Sequence, residues 1–372
     1  MTGIIKVDTI QVDSIKTKTG GAQSATNLGL SGGAGKNIII NGDMAVAQRA
    51  TSYAVTTDGA YGSLDRFAFY NSNDGAFTVS QDTTIPSGEG FLKSMKFDCT
   101  TADGTIAAGQ YATCFQNIEG LNHSVLGYGA AGAKTITVSF WAKSNLTGPF
   151  CYSVRNSAVD RSFVKEFSLS TADTWERISF SITGDTTGTW LTTNGLGARH
   201  MIALSMGSTF HGTNNTWQSG NKTATSNQVN FLSNTSNELY VTGWQVEIGS
   251  VASEFEHKKY ADTLNDCYRY LYRIQRTDAY GEFLTIRTYS ATAGTGVMML
   301  PVSMRASPTF TSSTVNTSNF SYSITSIGSS GTDSSNRLNT HNAVGAFTAN
   351  GAAVIQKANN ADMIFFQYDA EL

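Results

Sequence analysis

The chain has 372 residues, enough for two or three domains that each bury a core. Only 14% of them are charged, against about 25% in an ordinary soluble protein. With four prolines, 36 glycines and many Ser, Thr and Asn residues, this is the composition of short strands joined by turns, not of helical bundles or parallel α/β sheets. A net charge of −3 leaves no basic footprint for nucleic acid or an anionic membrane. No apolar run approaches the roughly 20 residues of a membrane-spanning helix, so no membrane insertion is expected.

The first segment, 1–36, opens MTGIIKVDTIQVDSIKTKTGG and lacks the apolar core of a signal peptide. It repeats every five residues as IKVDT, IQVDS and IKTKT. Ile5 and Val7 share one side of an extended chain, and Ile10 and Val12 share the other, with Ile15 opening the third unit. Apolar residues on both sides suit a segment that orders against a partner or against copies of itself. The segment is therefore read as an attachment element, ending in a flexible glycine-rich linker.

At residue 37 the pattern changes. NIIINGDMAVAQRATS (37–52) reads as a first strand running into an Asn-Gly-Asp turn. From there to residue 258 apolar and polar residues alternate repeatedly. Met95, Phe97 and Cys99 share one face, as do Ile136, Val138 and Phe140, while Trp141 points the other way. Ile178, Phe180 and Ile182 alternate likewise. In ELYVTGWQVEIGS, Leu239 and Val241 have one parity and Trp244, Val246 and Ile248 the other, so a β-bulge is expected at Thr242-Gly243. Many such strands without crossover helices predict an antiparallel β-sandwich, most simply a jelly roll. Tyr260, Leu264, Cys267 and Leu271 then recur at helical spacing, predicting a connecting helix of two to three turns, with a strand after it, within 259–274. Residues 275–372 are Ser/Thr-rich and strand-like again, and predict a smaller C-terminal β-domain whose apolar last strand, in ADMIFFQYDAEL, must be covered.

Signals for catalysis are sparse. Cys99, Cys114, Cys151 and Cys267 show neither metal nor disulfide spacing and are expected as buried reduced thiols. The histidines, His123, His200, His211, His257 and His341, do not pair at metal-ligand spacing, and no nucleophile elbow, phosphate loop or zinc-protease motif is present. Asp65-Arg66 is read as a structural ion pair. No enzymatic activity is expected.

Six pieces in register give a resemblance: NIIINGDMAVAQRATS, YGSLDRFAFY, CFQNIEGL, TITVSFWAKS, WERISFSIT and GWQVEIGSVASEFEHKKYADTLNDCYRYLYRI. Together they resemble a module of bacteriophage tail-fibre proteins, a jelly roll similar to carbohydrate-binding modules, over residues 37–274. Family members often carry Trp-Gln-Arg where this chain has Ala47-Gln48-Arg49, and Trp where it has Phe67-Ala68. The resemblance implies a homotrimeric virion fibre, made in the host cytoplasm, joined to another virion protein through its N-terminal segment and contacting a host-surface glycan. By analogy with related jelly rolls, Asp43 and Glu247 are candidates for a structural calcium site. Sugar binding needs an exposed aromatic platform flanked by amides and hydroxyls. The stretch from Trp190 to Trp217, with His200, His211, Asn214 and Asn215, is expected as a loop with that chemistry, and Trp141 is a further candidate. The alternatives are a purely structural decoration or adaptor, and a polysaccharide-degrading fibre enzyme with a carboxylate pair across a groove.

Overall fold

The computed structural model describes residues 15–16, 22–23, 36–56, 61–278, 281–312, 324–332, 338–345, 349–356 and 364–372. A short ribbon pairs β1 (Ile15–Lys16) with β2 (Ala22–Gln23). Twelve strands follow: β3 (Ser52–Val55), β4 (Phe67–Asn71), β5 (Ala76–Asp82), β6 (Ser94–Thr101), β7 (Tyr111–Glu119), β8 (Ile136–Ser144), β9 (Gly148–Asn156), β10 (Arg161–Leu169), β11 (Glu176–Ile182), β12 (Leu196–Met206), β13 (Thr216–Ser219) and β14 (Glu238–Ile248). A one-turn helix, α1 (Gly120–His123), follows β7, and α2 (Tyr260–Tyr268) follows β14. The remaining strands are β15 (Leu271–Arg276), β16 (Glu282–Thr288), β17 (Ala293–Met299), β18 (Thr309–Ser312), β19 (Ile324–Thr332), β20 (Leu338–Gly345), β21 (Ala352–Gln356) and β22 (Ile364–Asp369).

The twelve strands form two six-stranded antiparallel sheets. Sheet I has the order β13-β10-β9-β12-β7-β4, and sheet II the order β11-β8-β14-β6-β5-β3. Apart from the β9-β10 and β5-β6 hairpins, neighbouring strands are non-consecutive in the chain, as in a jelly roll. The expected alternation builds the core: Phe69, Cys114, Phe150, Tyr152 and Ile202 from sheet I meet Phe97, Val138, Phe140 and Trp244 from sheet II. Trp244 lies 5.6 Å from the Phe67 ring and 5.7 Å from that of Tyr152, so it joins the two layers. The four cysteines are free and buried. At Gly243 the pairing of β14 with β8 slips between Thr242 and Gln245, the expected bulge, with φ at 63°.

Two expectations are corrected here. Residues 37–43 are a turn-rich tie, not a ladder strand. Side-chain amides replace ladder partners there: Asn37 accepts from the Ile39 and Val246 amides, and Gln116 bonds both the amide and the carbonyl of Ile40. Asn41 is left-handed (φ 60°), and a Cβ at Gly42 would come within 2.1 Å of the Trp244 carbonyl oxygen, which is why Asn-Gly stands there. The stretch from Trp190 to Trp217 is not a loop, since it contains β12 and the first two residues of β13. The connecting helix is nine residues long, the two to three turns expected, with Tyr260 exposed and Leu271 opening the strand that follows, β15.

The C-terminal unit holds a three-stranded sheet, β15-β22-β18, and a five-stranded sheet, β19-β20-β17-β16-β21. Its strand β15 starts at Leu271, within the connecting segment, and pairs with β22. Its apolar last strand, β22, runs between β15 and β18, with Phe366 and Tyr368 fully buried. A polar clasp joins this unit to the sandwich. Asp65 and Arg66 form no ion pair of 4.0 Å or shorter with each other, and Arg66 has a left-handed backbone (φ 74°). Asp65 accepts from the amide and side chain of Gln48, while Arg66 pairs with Glu371, donates to the Asn117 carbonyl and lies over the Tyr270 ring. Arg49 pairs with Asp369 at 2.7 Å, and Arg269 and the Tyr270 hydroxyl both bond Glu119.

Candidate functional site

Only some of the expected sugar-binding residues come together. His200 points into the core, where its Nδ1 is 2.7 Å from the Tyr152 hydroxyl and burial lowers its pKa to about 3. Alternation on β12 forces this, since Ala198, His200 and Ile202 share the inner face. Trp190 is buried, stacked on His123 at 5.2 Å with its indole N–H donating to the Thr187 carbonyl. His211 is held by the Met206 carbonyl oxygen, and the Asn214 side chain accepts from the Glu166 amide. Trp141 is half-buried on the outer face of sheet II, as its parity predicts, in a small pocket with Arg177, Phe255 and His257.

Trp217 and Asn215 do share a groove. It opens between the sheet edges, with β10 and β13 on one side and β11 on the other, and has a volume of about 420 Å³. Trp217 and Phe180 supply half-exposed apolar surface, and Lys165, Asn215, Ser181 and Thr183 line the groove beside them. The indole N–H of Trp217 is already used by the Thr183 carbonyl at 2.7 Å, so this tryptophan offers its ring rather than its donor.

A second surface, missed in the sequence, lies on the outer face of sheet I. Tyr111, Thr113, Phe115 and Asn117 have the opposite parity to the core residues Ala112, Cys114 and Ile118 of β7. The Tyr70 ring of β4 stacks against Phe115 at 5.6 Å and Tyr111 at 6.0 Å. The Arg199 guanidinium of β12 lies 4.0 Å over the Phe115 ring, and Arg155 of β9 is its direct cross-strand partner. Arg199 donates to the Asn117 side chain at 2.7 Å, and Arg155 to that of Asn221. On one side Phe210 packs on Tyr111 at 5.0 Å, and with Ala224 it joins the apolar cluster of Cys151, Val164 and Ala203. On the other, the Tyr61 hydroxyl and the Asn117 amide both bond the Leu372 main-chain oxygen. The result is an aromatic strip with amides and two guanidiniums at one end. The available signal was the off-parity pattern of YATCFQN together with arginines set inside otherwise apolar strands.

The carboxylates expected to hold calcium are not brought together. Glu247 is saturated by the Ser253 amide and hydroxyl and by the Gln245 side chain. Asp43 lines a different, small pocket with Glu256 and Asp266, and burial raises its pKa. No cluster of three or more metal-binding side chains occurs among the described residues. This pair does not fit the ion. Ile5, Val7, Ile10 and Val12 lie outside the described residues, and the described Ile15 sits in β1. No helix among the described residues is long and apolar enough to cross a membrane.

No protein-family model matches the chain, and no curated protein sequence does. Similar solved structures include the enzymatically active domain of tailspike protein 4 from bacteriophage CBA120, at 11% identity and a TM-score of 0.32; the match covers 57% of this chain and 22% of that one. A putative sugar-binding protein from Bacteroides thetaiotaomicron matches at 13% identity and 0.34, over 57% of this chain and 100% of that one. The family 11 carbohydrate-binding module from Clostridium thermocellum, in complex with a β-1,3-1,4-mixed-linked tetrasaccharide, matches at 11% and 0.27, over 50% and 91%. These likenesses are loose, and the jelly-roll assignment rests on the strand order of the two sheets.

Proposed function

We propose that this protein is a glycan-binding component of a phage fibre that recognises host-surface saccharide without cleaving it. The observation that carries the reading is the strip on sheet I. Tyr70 and Tyr111 present half-exposed rings on a rigid sheet, flanked by the hydrogen-bonding groups of Asn117, Asn221, Arg155 and Arg199. Stacked aromatic faces with polar groups at their rim suit the alternating apolar and hydroxylated surfaces of a sugar ring. Hydrolysis calls for two carboxylates facing each other across the bound sugar. Two acids of this face, Glu119 and Glu166, are instead engaged elsewhere, by Arg269 and Tyr270 and by Thr225 and Asn227.

The test is a glycan array with the full chain and a Tyr70→Ala variant whose melting temperature matches that of the parent. Binding that falls about tenfold or more in the variant supports the reading; a parent that binds nothing above background sinks it. The virion placement, the homotrimer and attachment through the N-terminal segment belong to the same proposal. Light scattering that gives a monomer mass, or antibody labelling that leaves virions bare in the electron microscope, would refute them.

A further inference from the structure

Arg155 and Arg199 are directly opposite each other on neighbouring strands, an arrangement that like charges destabilise unless something compensates them. Neither forms an ion pair of 4.0 Å or shorter with an acid among the described residues, although Arg49, Arg66, Arg161 and Arg269 all do. Each donates to one side-chain amide, Asn221 or Asn117, which leaves most of the five N–H donors of each guanidinium without a protein partner among the described residues. Burial lowers both pKa values, that of Arg155 to about 10, and the charge of Arg199 lowers Arg155 further. Phe115 fixes the plane of Arg199 from below, so its edge is preset for a two-pronged contact. Below them on the same face of β9, the Ser153 hydroxyl is buried with no hydrogen-bond partner among the described residues.

We propose that Arg155 and Arg199 are the carboxylate clamp of an acidic-saccharide site, with Tyr70 and Tyr111 as the platform for the sugar rings that follow. The inference rests on the glycan-binding reading above and names the ligand class of that site: a polymer bearing ring carboxylates, such as hexuronate or sialate units. A carboxylate oxygen pair matches the guanidinium fork and supplies the countercharge that no acid among the described residues provides. The aromatic strip favours a sugar polymer over a free anion, because stacking area is wasted on an isolated phosphate or sulfate. Two cations on a chain of net charge −3 are few for a nucleic-acid track.

The experiment measures binding of the full chain to polygalacturonate, alginate, hyaluronate and polysialate, each compared with its carboxyl-reduced form. Inorganic phosphate, dextran sulfate and single-stranded DNA serve as the other arms. At least one acidic polymer should bind, weakening about tenfold or more on carboxyl reduction and by a similar factor in Arg155→Gln and in Arg199→Gln. Arg199→Lys should recover part of the loss by restoring charge without the fork. Matched melting temperatures guard against misfolded variants. If neutral glycans bind on the array and none of the acidic polymers does, the clamp is refuted while glycan binding stands. If nothing binds, both fall. Equal binding of reduced and native polymer, equal or tighter binding of dextran sulfate, or binding of phosphate or DNA alone would each overturn the clamp.

Discussion

His200 shows how a side chain that looks like ligand chemistry becomes structural once its strand is paired. Its inward position excludes sugar and holds it neutral, with a pKa lowered by burial to about 3, and burial lowers His123 to about 4. Both bind a proton near pH 6.5 when unfolded but not when folded. Their contribution to stability is therefore complete above pH 6.5 and is lost as the pH falls toward 4, at about 1.4 kcal/mol per pH unit for each histidine. Buried Asp43 and Asp65, whose pKa values are raised, act in the opposite sense at acid pH. A urea titration at several pH values between 7 and 4.5 should show the parent losing stability more steeply than His200→Gln. Equal slopes would show that His200 titrates freely. The sequence hid this because residues 190–217 look like a polar loop, while the β12 alternation of Ala198, His200 and Ile202 is the signal that decides it.

At the scale of elements, the parity rule was legible and exceptions to it carried the information. The reversal between Val241 and Trp244 located the bulge, and the structure gives its cause: a Cβ at Gly243 would meet the Phe91 ring at 2.5 Å, at a φ that side chains rarely adopt. Gly243→Ala is expected to cost about 1–3 kcal/mol by chemical denaturation; a change below about 0.5 kcal/mol would show that the bulge tolerates a side chain. The opening NIIINGD misled because three β-branched residues suggest a strand. Side-chain amides of Asn37 and Gln116, one of them 76 residues away from the carbonyl it bonds, satisfy this backbone instead. The aromatic strip was missed for a related reason: Tyr70, Phe115, Arg155 and Arg199 converge only through the strand order of sheet I, which alternation does not specify.

In the whole molecule, the clasp explains residues that the resemblance left without a role. Gln48 and Arg49 bind Asp65, Leu271 and Asp369 at the joint between sandwich and C-terminal unit. Asp65-Arg66 suggested a local pair, yet Arg66 finds its carboxylate 305 residues away in Glu371. Because Arg66 and Glu371 are both deeply buried, Arg66→Ala leaves Glu371 with only the longer contact to Arg49 at 3.5 Å and is expected to cost about 3 kcal/mol. Denaturation followed by two probes, one in each unit, should show the two transitions separating. Coincident transitions with little loss would show that the clasp is not what couples the units.

The position of β22 also has a consequence for how this chain is made. The strand completes a sheet between β15 and β18, and its last residue, Asp369, and Glu371 just beyond it neutralise Arg49 and Arg66, which left the ribosome some 300 residues earlier. Closing so long a loop is slow, and until it closes the two arginines and the inner surface of β15 stay uncovered. A product interrupted before Ile364 would keep a folded sandwich with an open, sticky flank. The clasp therefore closes only once the last strand is made, and a chain truncated before it leaves Arg49 and Arg66 without those two carboxylates.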